Sequence, residues 1–303
     1  MLKSRNLLVF LIILKILLAS TQKDNYTFLI TGGYRPRQHA LLKHMVSLQY
    51  KKPPLRYEKL NYNKFFGSLH FCGGTILTPR VILTAAHCLW IDKLGKPRNA
   101  TTLKIIAKTP NRLKKTEHTE VLEVEEVIVH PNYDNYTLSN DIAILHLMSN
   151  INEDDVFAQS IELPDGPVEV GTRCTVLGWG HLFSRGPFAA NALYADIYIL
   201  QKYFCQHFYA AHSMFNVGDL CAGDPDDPEQ NVCQGDSGGP MICNGKITGV
   251  VSHGYKCGEL PVMFADVWYY HDWIYKFAKA GKSANNISIF KILLLLLLVW
   301  IVG

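Results

Sequence analysis

Charge is the first thing this sequence has little of. Only 18% of its residues are charged, and 30 Lys and Arg against 26 Asp and Glu leave a formal net charge of +4. Such a balance gives no basic surface of the kind nucleic acid requires, so no nucleic-acid partner is expected. None of the 8 cysteines is spaced C-x-x-C, so a zinc site lacks its usual ligand spacing and no metal is expected. Neither an internal repeat at a solenoid period nor a low-complexity linker is present, which excludes a repeat array. What is present is 303 residues, 48% of them hydrophobic, ample for a large globular core. The even cysteine count follows a signal-like start and points to disulfides formed in an oxidising compartment.

Three short motifs carry the chemistry. Gly235-Asp236-Ser237-Gly238-Gly239-Pro240 presents a serine inside a glycine-rich turn. Thr84-Ala85-Ala86-His87-Cys88 presents a histidine, and Asp141-Ile142-Ala143-Ile144-Leu145 an aspartate. Alone, the first is ordinary turn chemistry and the second a packed histidine. Together they are what a weak serine nucleophile needs: a base to take its proton and a carboxylate to hold that base in the useful tautomer. An α/β-hydrolase esterase would place its serine ahead of the aspartate and histidine, unlike the order here.

From about Ile30 to about Ala280 the chain resembles the trypsin-like serine proteases. Further matches are Phe71-Cys72-Gly73-Gly74, His130-Pro131-Asn132-Tyr133, Gly178-Trp179-Gly180 and Val251-Ser252-His253-Gly254. Short β-rich runs such as Val46–Tyr50, Leu122–Val129 and Lys246–Ser252, separated by Gly, Pro, Asn and Asp, indicate an all-β sandwich or barrel. The resemblance refines this to two six-stranded antiparallel β-barrels with the active site between them. Trp273, Ile274 and Phe277, near helical spacing, predict a C-terminal helix over 269–280.

The resemblance also implies roles. Ser237 is the nucleophile, His87 the base and Asp141 its orienting carboxylate, with Ser252 behind the pair. The N–H groups of Gly235 and Ser237 form the oxyanion hole. Disulfides join Cys72 to Cys88, Cys174 to Cys243, Cys205 to Cys221 and Cys233 to Cys257. Cleavage before Ile30-Thr31-Gly32-Gly33 frees an ammonium that pairs with Asp236, and His70 holds that aspartate beforehand. The departures are as informative. Residue 29 is Leu where trypsin-like activation needs Arg or Lys, so an activating protease that accepts Leu, or autocatalysis, is expected.

Specificity departs too. Six residues before Ser237, where trypsin has an aspartate, stands Asn231, which cannot offset the burial of a cation. Val232 adds apolar wall, Gly254 forms the far wall, and Val262 replaces a glycine found in deep pockets. We expect cleavage after small or medium uncharged residues. His253, where many relatives have tryptophan, implies altered recognition.

The two ends bear on location. Lys3 and Arg5 precede an apolar run from Leu7 to Leu18, interrupted by Lys15 and followed by Ala19-Ser20. Residues 1–20 therefore read as a signal peptide, with a retained anchor as the alternative. Residues 21–29 are a short propeptide and 30–280 the peptidase domain. Residues 281–303 end in an apolar run of about eleven residues, short of the roughly 20 a span takes. A small-residue site at Ser283 (Gly281 as second choice) and a polar spacer fit a GPI-anchor signal, with a hydrophobic tail anchor as the alternative. Asn99 and Asn135 match glycosylation acceptors, as do Asn25 and Asn286 in segments that processing removes. Arg112–Glu120, with few acids beside Lys114-Lys115, is expected to hold no calcium. The basic, aromatic stretch Lys51–Gly67 reads as a solvated loop, or as an exosite for an acidic partner.

The function expected is thus a serine endopeptidase made as a zymogen on the outer face of a membrane. It needs no cofactor, and its partners are a protein or peptide substrate, an activating protease and the outer leaflet. The alternative is an inactive relative that keeps the fold as a binding protein.

Overall fold

Fourteen short strands, most of them β-branched runs ended by turn residues, are found among the described residues. The structure is a computed structural model that describes residues 33–35, 40–53, 65–154, 156–209, 215–228, 230–254, 257 and 261–279. The expected signal, propeptide and tail, with Leu29, Ile30, Gly281 and Ser283, lie outside these residues, as do most of the basic loop and the Asn25 and Asn286 acceptors.

The first barrel is closed by β1 (Met45–Tyr50), β2 (His70–Thr78), β3 (Val81–Thr84), β6 (Leu103–Ala107), β7 (Glu120–Val129) and β8 (Ala143–Leu147), in the order β1-β2-β3-β8-β7-β6. A two-stranded ribbon, β4 (Trp90–Ile91) and β5 (Lys96–Pro97), lies outside it. The second barrel is closed by β9 (Arg173–Gly178), β10 (Leu193–Ile199), β11 (Asp219–Gly223), β12 (Pro240–Cys243), β13 (Lys246–Gly254) and β14 (Val262–Asp266), in the order β10-β11-β14-β13-β12-β9. All pairings inside both barrels are antiparallel. This is the two-barrel architecture the resemblance implies.

Local chemistry explains the turns. Between β12 and β13 stand Asn244 and Gly245, both with left-handed φ, of 50° and 77°, the combination that a two-residue hairpin turn demands. Strand β7 shows period-2 burial: Leu122 and Val124 face the core, while Val121, Glu123 and Glu125 are exposed. The C-terminal helix runs over 271–279, two residues later than expected at its start. Asp266 explains the shift, because its carboxylate accepts from Trp268 N–H at 2.9 Å and Tyr269 N–H at 3.3 Å and holds residues 268–270 as a turn. Ile274 is fully buried in that helix, with Trp273 and Phe277 packed beside it.

One apolar cluster crosses between the barrels, taking Ile76, Leu83 and Ile144 from the first and Leu177, Tyr194 and Val250 from the second. Backbones meet closely there. A Cβ added at Gly73 would lie 2.9 Å from Gly239 Cα, so only glycine lets β2 approach the start of β12. Four disulfides are present, Cys72–Cys88, Cys174–Cys243, Cys205–Cys221 and Cys233–Cys257, the pairs that the resemblance implies. In the Arg112–Glu120 stretch, Glu120 is engaged by Lys108, which also pairs with Asp154.

A polar seam ties the barrels as well. Ser139 Oγ donates to Asn216 Oδ1 at 2.6 Å, and Asn216 N–H donates to Asp219 Oδ2 at 2.8 Å. Asp219 is buried, and burial pushes its carboxyl up to about 7 against the Asn216 hydrogen bonds. A carboxyl whose folded value lies above its unfolded value of 3.8 loses its contribution to stability as pH rises through the folded value. Asp219→Asn is therefore expected to raise the melting temperature at pH 8, with a gain of roughly 1–3 kcal/mol. The gain should vanish near pH 4; equal effects at both pH values would contradict the assignment.

Candidate active site

Register brings the histidine and aspartate together. In the β3–β8 ladder Thr84 pairs with Ala143. His87 follows Thr84 by one turn, in the short helix Ala86–Leu89, and Asp141 sits two residues before Ala143. Asp141 Oδ2 accepts from His87 Nδ1 at 2.8 Å and from Ser252 Oγ at 2.5 Å, while Oδ1 accepts from His87 N–H at 2.8 Å. The approach to Asp141 is bent through two non-glycine residues in the left-handed region, Leu138 at 56° and Asn140 at 54°. Asn140 Nδ2 donates to Asn132 O at 2.8 Å, and its Oδ1 accepts from Tyr270 OH at 3.3 Å. Such strained residues persist where surrounding bonds over-determine them.

Electrostatics make His87 and Asp141 an ion-pairing couple. Burial disfavours the charged imidazole, but the Asp141 charge and hydrogen bond outweigh it and raise the His87 value above ordinary. Burial likewise opposes the Asp141 charge, and the His87 charge with the His87 and Ser252 donors lowers its value below ordinary. Asp141 is thus a carboxylate with Ser252 and His87 as donors.

The serine arrives from the other barrel. Ser237 lies in the turn that enters β12, partly exposed, and opens onto a cavity. Gly73 N–H donates to Ser237 O at 2.8 Å. A Cβ on Gly238 would fall 2.2 Å from Thr84 Oγ1, and Gly238 has φ of 76°, so glycine is what allows this turn to rest against the His87 segment. Among the described residues, no hydrogen bond joins Ser237 Oγ to His87 Nε2; such contacts are commonly loose before substrate binds.

Gly235 has φ of 100°, and an added Cβ would lie 2.4 Å from Phe188 Cε1. The N–H groups of Asp236, Gly238 and Gly239 have backbone acceptors, whereas those of Gly235 and Ser237 have none among the described residues. Two donors left free beside a serine are what a developing oxyanion needs. Asp236 is fully buried, accepting from Gly180 N–H at 2.7 Å and Cys233 N–H at 2.9 Å. Burial pushes its carboxyl up to about 6 despite those bonds.

In this structure His70 is not on Asp236: its Nε2 donates to Gly235 O at 3.1 Å, and its Nδ1 accepts from Ser47 Oγ at 2.8 Å. Burial, with the nearby Arg112 charge, drives its value down to about 3, so the ring is neutral and offers Asp236 no cation. Arg112 itself had no sequence signal. Its buried guanidinium donates to Ala189 O at 2.8 Å and Gly67 O at 2.7 Å and lies over the Phe188 ring. It thereby positions the loop that packs on Gly235.

The cavity beside Ser237 has a volume of about 170 Å³. Val232, Ser252, His253, Gly254 and Val262 line it, along with the Cys233–Cys257 disulfide. Gly254 and Val262 are register partners across β13 and β14. Asn231 is fully buried, its Oδ1 accepts from Val232 N–H at 2.9 Å, and it is not among the described residues that line the cavity. Asn99 is exposed and Asn135 half-exposed; Asn99 Oδ1 accepts from Thr101 N–H at 2.9 Å.

The sequence matches the family model described as Trypsin over residues 30–274. It is 32% identical over 251 residues to Trypsin-1 of Salmo salar, covering 81% of this chain and 89% of that protein. It is 33% identical over 251 residues to Trypsin II-P29 of Gallus gallus, covering 81% and 87%. Duodenase-1 of Bos taurus is 29% identical over 282 residues, covering 92% of this chain and all of that protein.

Two outcomes are expected of this geometry. The acid limb of kcat/KM should fall with an apparent pKa above the ordinary imidazole value of 6.5, since the base must be neutral and Asp141 holds its proton on. Gly235→Ala should lower kcat by on the order of 10²–10³ with little change in KM, because the turn must move off Phe188 and misaim a donor. Steady-state kinetics against pH checks both.

Proposed function

The chain belongs to the trypsin family of serine endopeptidases, and on that premise we propose that it is a zymogen-derived protease cleaving after small or medium uncharged residues at the outer face of a membrane. In this reading His87 takes the Ser237 proton as Ser237 Oγ attacks the scissile carbonyl. Asp141 keeps the imidazole in the tautomer whose Nε2 can accept, and stabilises the imidazolium that forms. The N–H groups of Gly235 and Ser237 receive the negative charge on the carbonyl oxygen. His87 then returns the proton to the leaving amine, and water hydrolyses the acyl-enzyme by the same steps.

The observation that carries the specificity is the cavity wall. Val232 and Val262 supply it, no Asp or Glu is among its described lining residues, and Asn231 is fully buried. A cationic side chain would be buried there without a counter-charge among the described residues. A large aromatic would meet Val262 opposite Gly254.

Activation rests on Asp236. Its carboxyl is fully buried, pushed up to about 6, and pairs with no cation among the described residues. An ammonium freed at Ile30 would restore its charge and hold the turn that carries Gly235. The bond to cut is Leu29–Ile30, which a protease specific for Arg or Lys would leave intact. The four disulfides fit an extracellular protein. The small-residue site at Ser283 and the apolar end of the chain support a GPI anchor, with carbohydrate at Asn99 and Asn135.

The test is to release the protein from cells with a GPI-cleaving phospholipase, sequence its N-terminus and profile it on peptides varied at the residue before the cut. An N-terminus at Ile30, labelling by a serine-reactive phosphonate and preference for Ala, Val or Leu are expected. Preference for Arg or Lys, or efficient activation by trypsin at Leu29–Ile30, would refute the corresponding part. Val262→Gly should raise kcat/KM for a substrate with Phe at that position by about 10-fold or more.

A further inference from the structure

Behind Asp141 the hydrogen-bond chain does not stop at Ser252. Ser252 Oγ also lies 2.9 Å from His253 Nδ1. A hydroxyl has one proton, and the Ser252 proton goes to Asp141 Oδ2, an acceptor without a hydrogen of its own. His253 Nδ1 must then carry a hydrogen and donate it to Ser252. The order of donation is His253 to Ser252 to Asp141, with His87 donating to the same carboxylate oxygen from the other side. His253 is mostly buried and lines the cavity that Ser237 opens onto.

We propose that His253 is a positioning residue of the catalytic site, which fixes the Ser252 proton on Asp141 and so lowers the proton affinity of His87. The inference rests on the assignment of His87, Asp141 and Ser237 as the catalytic groups. Its physical basis is competition for one oxygen. Successive hydrogen bonds polarise one another, so a donor behind Ser252 strengthens the Ser252–Asp141 bond. A carboxylate held more firmly from behind is a weaker acceptor for the imidazolium in front.

Several other groups face this chain. His87 faces Asp141 and Asp92. Asp141 acts on Tyr133, Tyr270 and Asp219, and Ser252 touches it directly. Against His253, the helix Lys202–Tyr209 presents the edge of Tyr209, with ring centres 6.4 Å apart, and the Tyr209 hydroxyl donates to Pro261 O at 2.6 Å. Of these, substitution at 253 touches Ser252 and the Tyr209 ring, and the Ser252→Ala background separates the chain through Ser252 from any other effect.

The test compares the pH dependence of kcat/KM and kcat in the processed enzyme. His253→Phe keeps a flat ring and removes the donor; the acid limb should move up by about half a pH unit or more. His253→Asn places an amide N–H near the position of Nδ1 and should return the limb toward the parent value, although it loses the ring. KM should change in both variants, because both reshape the cavity. Ser252→Ala breaks the chain from the other side; it should move the limb in the same direction, and His253→Phe added to it should move it no further. An unmoved limb in His253→Phe, or equal shifts in the Phe and Asn variants, would overturn the proposal and leave His253 as cavity wall. If the parent protein proves inert to phosphonate, the catalytic reading fails separately. The His87 imidazole titration followed by NMR then decides the inference, with the same order of shifts expected.

Discussion

A carboxylate with almost no exposure to water holds the two barrels in working relation. Asp141 would be costly to bury alone. It receives the main-chain and side-chain N–H of His87 from its own barrel and the hydroxyl of Ser252 from the other. The segment bearing it is bent through two left-handed residues, and the Asn140 side chain is held by Asn132 and Tyr270. Removing any one donor leaves part of a buried charge unpaired, so the geometry of the base depends on both barrels being docked. The close contact of Gly73 with Gly239 and the Gly73–Ser237 hydrogen bond set the same docking from the serine side.

Two other buried carboxyls mark a contrast. Asp236 accepts two backbone N–H groups but faces no cation among the described residues, and its value rises to about 6. Asp219 accepts from Asn216 and rises to about 7. The three differ in partners more than in depth: an imidazole that can carry charge keeps Asp141 ionised, while amides leave the other two prone to protonation. Asp236 is the one between Gly235 and Ser237, so a cation supplied there would act on the turn that carries them. His70, neutral and bonded to Gly235 O, steadies that turn without supplying the charge.

Much of this is legible in the chain. The Asn244-Gly245 hairpin turn, the alternation of β7 and the apolar spacing of the C-terminal helix follow from local rules, and the order of His87, Asp141 and Ser237 points to the chemistry. The helix starts later than its apolar spacing suggests because Asp266 caps a turn ahead of it, a side-chain bond that hydrophobic spacing does not register. Distance along the chain from Ser237 suggests a pocket position for Asn231, whereas its full burial and its hydrogen bond from Val232 N–H are set by the fold. Arg112 and Phe188 bear on Gly235 from loops distant in sequence, and no local pattern marks them.

Taken alone, the chain sets the chemistry available: a serine, a histidine and a carboxylate in a family order, glycines where the serine turn needs positive φ, and eight cysteines in even number. How those groups are conditioned is a matter of tertiary contacts. Exposure, partner count and charge environment depend on residues that meet across the two barrels, and so the differing states of Asp141, Asp219 and Asp236 cannot be read from their neighbours in the chain. The same holds for His253, whose link to Asp141 exists because β13 lays Ser252 against a loop of the other barrel.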